Sequence, residues 1–224
     1  MTYRVLIFDF DGTLADTFPW FASILNDVAD RYGFRRVGEN DVARLRLLDA
    51  RSIMDELGVP LWKAPMIARH LRALASRDAA TLRPFPGVRE TLAALARQGY
   101  TIAVVSSNAE TTIRTVLGPE TAGLIARFSC GVSLFGKAKK LRRLVRDLRV
   151  SPREALLIGD EIRDADAARD AGIDFGAVAW GYTAPEALAR AKPVLTFETV
   201  DAIEKVLTSG LRGETDGFIH ASLL

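Results

Sequence analysis

The sequence predicts an α/β protein: an open parallel sheet with an all-helical segment inserted after its first strand. Three observations carry that expectation. Continuous apolar runs at 5–8, 102–105, 155–158 and 175–179 lack the alternation of a strand with one wet face, so they read as strands buried on both sides. Helical periodicity separates the later runs, and strand–helix alternation implies parallel strands joined by right-handed crossovers. Between the first two runs, by contrast, helical patterns follow one another without a strand signal.

Val5-Leu6-Ile7-Phe8 is the first strand and runs directly into Asp9-Phe10-Asp11-Gly12. The insertion then opens with Trp20, Phe21, Ile24, Leu25, Val28 and Tyr32, an apolar stripe at helical spacing. Shorter helices are expected around 42–48 and 52–57, and a longer one near 64–77. Arg83-Pro84-Phe85-Pro86-Gly87 is a turn-rich return to the sheet. Val88, Thr91, Leu92 and Leu95 mark a helix that stops at Gly99. Leu141, Leu144, Val145 and Leu148 mark another, and a last strand at 194–197 precedes a closing helix at 200–207. The chain thus divides into an α/β core at 1–15 and 84–208, a helical insertion at 16–83 and a tail at 209–224 whose end is expected to be mobile.

Composition narrows the function classes. The 224 residues are 49% apolar and 26% charged, ordinary globular values for a chain able to bury a sizeable core. A net charge of +2 is too small to call for a nucleic-acid partner. The basic run at 137–149 interleaves with apolar positions at helical spacing, which describes a solvated amphipathic helix. The single cysteine, Cys130, has no internal partner, which favours a reducing compartment and a structural role. His70 and His220 are far apart, which argues against a histidine-built zinc site; metal binding would rest on oxygen ligands. No apolar stretch is long enough for a secretion signal or a membrane helix. The expectation is a soluble, cytoplasmic protein with no membrane partner, and nothing in the sequence sets its oligomeric state.

In an open parallel sheet, ligands collect beyond the C-terminal ends of the strands. Asp9, Asp11, Gly12 and Thr13 follow the first strand, and Ser106, Ser107 and Asn108 follow the second. Gly136-Lys137 opens a helix, and Gly159, Asp160, Glu161 and Asp164 follow the 155–158 strand. Such a set can hold a hard divalent cation together with a phosphoryl group. Magnesium prefers oxygen ligands and takes one or two carboxylates plus phosphate and water, which Asp9 and Asp160 can supply. Acids facing a phosphate dianion repel it, so a metal and Lys137 are needed to reverse the local field. Asp9 and Asp11, two residues apart, permit one to attack while the other reaches the leaving oxygen.

Asp9-Phe10-Asp11-Gly12-Thr13-Leu14 resembles the first motif of the haloacid dehalogenase superfamily of phosphatases. Val104-Val105-Ser106-Ser107-Asn108 resembles its second motif, Gly136-Lys137 its third and Gly159-Asp160-Glu161-Ile162-Arg163-Asp164 its fourth. The motifs stand in family order, and the helical insertion at 16–83 is similar to the cap found between motifs one and two. The likeness runs to about Leu207. Among subfamilies it is most similar to phosphoglycolate phosphatase-type enzymes, with Trp180-Gly181-Tyr182 as further support.

The resemblance implies a Rossmann-like core, a helical cap, Mg2+ as cofactor and a small phosphorylated metabolite, such as 2-phosphoglycolate, as substrate. It implies that Asp9 attacks phosphorus and forms an aspartyl phosphate. Asp11 then serves as acid and base, and its backbone carbonyl joins Asp9 and Asp160 as metal ligands. Ser106 and Lys137 would hold the phosphoryl oxygens with help from Gly12, Ser107 and Asn108. Asp164 would act in the metal's outer shell or orient Lys137. Glu161 either bonds a metal-bound water or faces solvent.

Blander roles exist for several of these residues. Ser106 fits a helix N-cap, Asp164 a first-turn helix acid, and Lys139 and Lys140 compete with Lys137. Arg44, Arg46 and Arg51 suit a substrate carboxylate but fit surface charges on cap helices better. His70, near Ile67, Leu71 and Leu74, reads as a packing residue. Three rivals share the fold. A dehalogenase has no use for Asp11, a phosphomutase shares the core and cap, and a phosphate-ligand-binding protein without turnover would not need the intact acid set.

Overall fold

The computed structural model describes residues 3–131 and 136–209. The tail set apart in the sequence lies, beyond Ser209, outside the described residues. Six parallel strands form one sheet in the order β3-β2-β1-β4-β5-β6. They are β1 (Val5–Phe8), β2 (Thr101–Val105), β3 (Arg127–Ser129), β4 (Ala155–Gly159), β5 (Asp174–Val178) and β6 (Leu195–Phe197). The four longer apolar runs and the late run at 194–197 are therefore strands, with ends shifted by a residue or so. β3 was not expected: it is three residues at the sheet edge and half exposed, so it carries no apolar run.

Side chains alternate across a strand, and each face of β1 meets its own layer. Leu6 and Phe8 pack with Val104, Ile158 and the helices α5 (Val88–Arg97), α6 (Glu110–Gly123) and α10 (Val200–Ser209). Val5 and Ile7 pack with Ala103, Leu157 and the helices α7 (Lys137–Asp147) and α8 (Ile162–Ala171). A short helix, α9 (Pro185–Ala189), adds Leu188 to that second layer. Burial on both faces is what made these strands read as unbroken apolar runs. α7 buries Leu141, Leu144 and Val145 and exposes Arg142, Arg143 and Arg146, the amphipathic arrangement expected of the basic run.

Within residues 16–83 the regular elements are all helical: α1 (Phe18–Tyr32), α2 (Glu39–Leu45), α3 (Ala50–Glu56), a 3₁₀ turn at Leu61–Lys63 and α4 (Ala64–Arg77). α2 begins and ends earlier than the apolar spacing suggested. The Asp41 carboxylate accepts the Gly38 amide at 3.0 Å and starts the helix there. Asp49 then accepts the amides of Arg51 and Ser52, each at 2.9 Å, and starts α3. The insertion has a small core of its own, in which Leu45, Leu57 and Val59 pack with Phe34, Ile53 and Ile67.

Candidate active site

The strand order decides which loops meet. β1 lies between β2 and β4, with Phe8 in register with both Val104 and Ile158. Asp9 and Asp11, Ser106 to Asn108, and Asp160 therefore leave the sheet side by side. The Asp9 amide donates to the Ile158 carbonyl at 2.9 Å, carrying the ladder one residue past β1. The first turn of α7 brings in Lys137, whose Nζ lies 3.0 Å from Asp9 Oδ1 and 2.5 Å from Asp164 Oδ1. Lys139 is exposed and Lys140 half-buried, so only Lys137 among the competing lysines reaches the carboxylates. Asp164 Oδ2 also accepts the Glu161 amide at 3.3 Å, so this acid serves its helix and Lys137 together.

Asp160 is fully buried, and among the described residues the groups that bond its carboxylate are neutral donors. The Thr13 hydroxyl donates to its Oδ1 at 2.7 Å, and the Tyr182 amide donates to its Oδ2 at 2.8 Å. Two glycines allow backbone so close. A Cβ on Gly181 or on Gly12, which has φ of 72°, would overlap the Asp160 side chain. The Gly12 amide donates to the Ala15 carbonyl at 2.9 Å, so close approach to Asp160 is what this glycine contributes, rather than a free phosphate donor. On the other side, Asn108 Nδ2 donates to both Asp11 oxygens, at 3.0 and 2.8 Å. Ser106 Oγ accepts the Asn108 amide at 3.0 Å and braces that turn; it does not cap α6, which starts four residues later without a side-chain cap.

Burial controls the electrostatics. It pushes the Asp9 carboxyl up to about 7 although Lys137 pulls the other way, and it pushes Asp11 up to about 6. Asp160 rises well above the ordinary carboxylate range, through burial and then through Glu161, Asp9 and Asp164. Burial works against the Lys137 ammonium, but Asp164 and Asp9 outweigh it and hold its pKa above the usual lysine value. Five carboxylates (Asp9, Asp11, Asp160, Glu161 and Asp164) gather around two cationic groups, Lys137 and Arg163. Among the described residues, no cationic side chain lies within ion-pair distance of Asp160. Asp9, Asp160 and Asp164 each offer an oxygen within 4.8 Å of the others. An all-oxygen, buried and under-neutralised donor set fits a hard divalent cation.

Four residues were not singled out as site members from the sequence. Arg163 pairs with Glu161 beside the cluster, and its Nε is buried without a partner among the described residues. Thr13, placed after the first strand without a role of its own, holds Asp160. Tyr182 stacks against Phe18 and Phe21 with ring centroids at 5.1 and 5.7 Å, and its hydroxyl sits 3.0 Å from Thr17 Oγ1. Arg46 was read as a surface charge, yet it bonds to the loop carrying Tyr182. Motif spacing could have pointed to Arg163 and Tyr182; Arg46 was weighed only as a partner for a substrate carboxylate or a surface charge, and nothing in the sequence marks its bonds to this loop. Arg44 does pair on the insertion's own surface with Asp41 and Glu56, and Arg51 is exposed. His70 packs against Tyr32 with ring centroids 5.6 Å apart, and burial pushes the Cys130 thiol up to about 11, away from reactivity.

Of the five carboxylates, Asp11 and Glu161 line a cavity of about 360 Å³. Its wall joins Asp11, Ser107, Asn108 and Arg163 from the strand ends to Phe21, Leu25, Leu48 and Arg72 from the insertion. Buried acids, a bridging lysine and a cavity shared with the helical segment form a site that can position an anionic ester.

Comparison with known proteins agrees with this geometry. Residues 6–178 match the family described as haloacid dehalogenase-like hydrolase. The chain is 31% identical to a phosphoglycolate phosphatase of Synechococcus elongatus over 212 residues, 93% of this chain and 99% of that one. It is 28% identical to an N-acetylmuramic acid 6-phosphate phosphatase of Pseudomonas aeruginosa, across 83% of this chain and 86% of the relative. Its fold superposes with a TM-score of 0.71 on the crystal structure of a predicted phosphoglycolate phosphatase from Haemophilus somnus, at 23% identity, covering 92% of this chain and 98% of that one. Among the described residues, no helix is long and apolar enough to cross a membrane. The chain belongs to the haloacid dehalogenase-like hydrolases and is a phosphatase of the phosphoglycolate phosphatase-like type.

Proposed function

We propose that the protein is a magnesium-dependent hydrolase of small phosphate monoesters that works through an aspartyl phosphate, an acyl phosphate formed on Asp9. The observation that carries this is the buried cluster: Asp9, Asp160 and Asp164 offer oxygens within 4.8 Å of one another, with Lys137 3.0 Å from Asp9. Asp9, Asp160 and the Asp11 backbone carbonyl would hold Mg2+, which lowers the repulsion between a carboxylate nucleophile and a phosphate dianion. Lys137 opposes the effect of burial on Asp9 and orients its carboxylate, and it stands ready to meet a phosphoryl oxygen. Asp11 is held by Asn108 through both oxygens. A carboxyl with its pKa at about 6 can give a proton to the leaving alcohol and later take one from water. Ser106, with Ser107, supplies donors for the phosphoryl group from the end of β2, while Asn108 already bonds Asp11 and Ser106. Asp164 fixes Lys137, and Glu161 fixes Arg163.

In this reading, residues 1–15 and 84–208 are the catalytic core and 16–83 the cap, which closes over the substrate, excludes water from the first transfer and selects the alcohol. The names of the relatives put 2-phosphoglycolate first among substrates, and a soluble, cytoplasmic setting suits such a metabolite. The test is a panel of metabolite phosphates assayed for phosphate release with magnesium and ranked by kcat/KM. Release from at least one monoester, suppressed by EDTA and restored by Mg2+, is the expected result. No release from any panel member would overturn the reading in favour of a ligand-binding protein.

A further inference from the structure

Arg46 joins the insertion to the sheet at one place. Its Nε donates to the Tyr182 carbonyl at 3.0 Å and its Nη2 to the Gly181 carbonyl at 2.8 Å. Its own carbonyl accepts the Ala184 amide at 2.8 Å, and its guanidinium carbon lies 5.3 Å from the centroid of the Phe18 ring. A rigid planar fork suits two neighbouring carbonyl oxygens in a way a lysine ammonium does not. The same loop holds Asp160 from its other side: the Tyr182 amide donates to Asp160 Oδ2 at 2.8 Å, and the Thr183 amide to the Asp160 carbonyl at 3.4 Å.

The Gly181 carbonyl and the Tyr182 amide belong to one peptide plane, which is rigid. Arg46 grips the oxygen end of that plane, and Asp160 takes the N–H end. We propose that Arg46 is a positioning residue for Asp160, so that seating the helical insertion on the sheet also sets the cation site. A guanidinium on the carbonyl also polarises the peptide and strengthens its N–H as a donor. Without Arg46 the Gly181–Tyr182 plane can rotate, and the Asp160 carboxylate loses its fixed direction. This inference rests on the reading of Asp160 as a magnesium ligand.

Calorimetric titration of the full chain with magnesium chloride, in the absence of substrate, tests it. Removing a group that orients a metal ligand weakens metal binding by about tenfold or more, which is the loss expected for Arg46→Ala. Arg46→Lys, which keeps the charge but not the fork, falls between the two. Arg44→Ala, whose partners Asp41 and Glu56 lie on the insertion, binds like wild type. In the metal-free protein, hydrogen exchange at the Tyr182 amide is faster in Arg46→Ala than in wild type. Wild-type affinity in a folded Arg46→Ala overturns the proposal, and if that variant does not fold, wild-type affinity in Arg46→Lys does so. Wild-type protein that binds no magnesium removes the reading of Asp160 and this inference together, an outcome distinct from equal binding by wild type and variant.

Discussion

The two halves of the site meet their buried charge in opposite ways. On the Asp9 side, an ammonium bridges two carboxylates at 3.0 and 2.5 Å, so the fold brings its own counter-ion. On the Asp160 side, a hydroxyl and a peptide N–H orient the carboxylate without neutralising it. Neutral donors fix direction at little cost, whereas only a cation offsets the desolvation of a fully buried carboxylate. The first half is complete in the folded chain, and in the proposed reading the second is completed by a divalent ion. On that reading, this difference lets one site partly offset the burial of its nucleophile and still keep an oxygen-lined place for metal.

Substitutions on each side sharpen the contrast. The largest expected effect is that of Asp9→Asn, which removes the attacking oxygen and lowers kcat by on the order of 10⁴-fold or more in a phosphate-release assay. Asp160→Asn comes next and is a metal defect: Mg2+ at about 100 times its Kd stabilises wild type by about 2.7 kcal/mol in thermal unfolding and leaves this variant unmoved. Lys137→Met strands Asp9 and Asp164, and urea unfolding without metal shows a loss of about 3 kcal/mol. A Lys137→Met variant as stable as wild type would break the comparison, because the ammonium would not be the counter-ion. The smallest effect is that of Asn108→Ala, which frees the Asp11 carboxylate. A lost hydrogen bond to a charged group predicts about a tenfold drop in kcat, larger for alkyl than for p-nitrophenyl esters, whose leaving group needs less protonation.

Much of the fold was legible because burial on both faces leaves unbroken apolar runs. Val5–Phe8 reads as a strand by composition alone, and its sheet position then follows from topology. β3 was hidden because an edge strand of Arg-Phe-Ser satisfies no such pattern. α6 was hidden too, because Gly118 breaks its helical geometry and Pro119 follows. The acidic residues of the site stood out because carboxylates directly after apolar strands are conspicuous. Arg46 did not, because an arginine on an amphipathic helix looks the same whether it meets water or the carbonyls of a loop 135 residues away. Residues that act through the backbone of a distant loop leave no mark in spacing. The glycines that admit the loop were visible, but their purpose was not.

The account turns on whether Asp9 carries the phosphoryl group. The direct measurement is a trap: enzyme turning over a phosphate monoester with Mg2+ is quenched into borohydride, which reduces an acyl phosphate to an alcohol, and the peptide containing Asp9 is read by mass spectrometry. Conversion of Asp9 to homoserine, dependent on both substrate and magnesium and absent when either is withheld, is the predicted result. Phosphate release at full rate with Asp9 unmodified and another side chain labelled would contradict it.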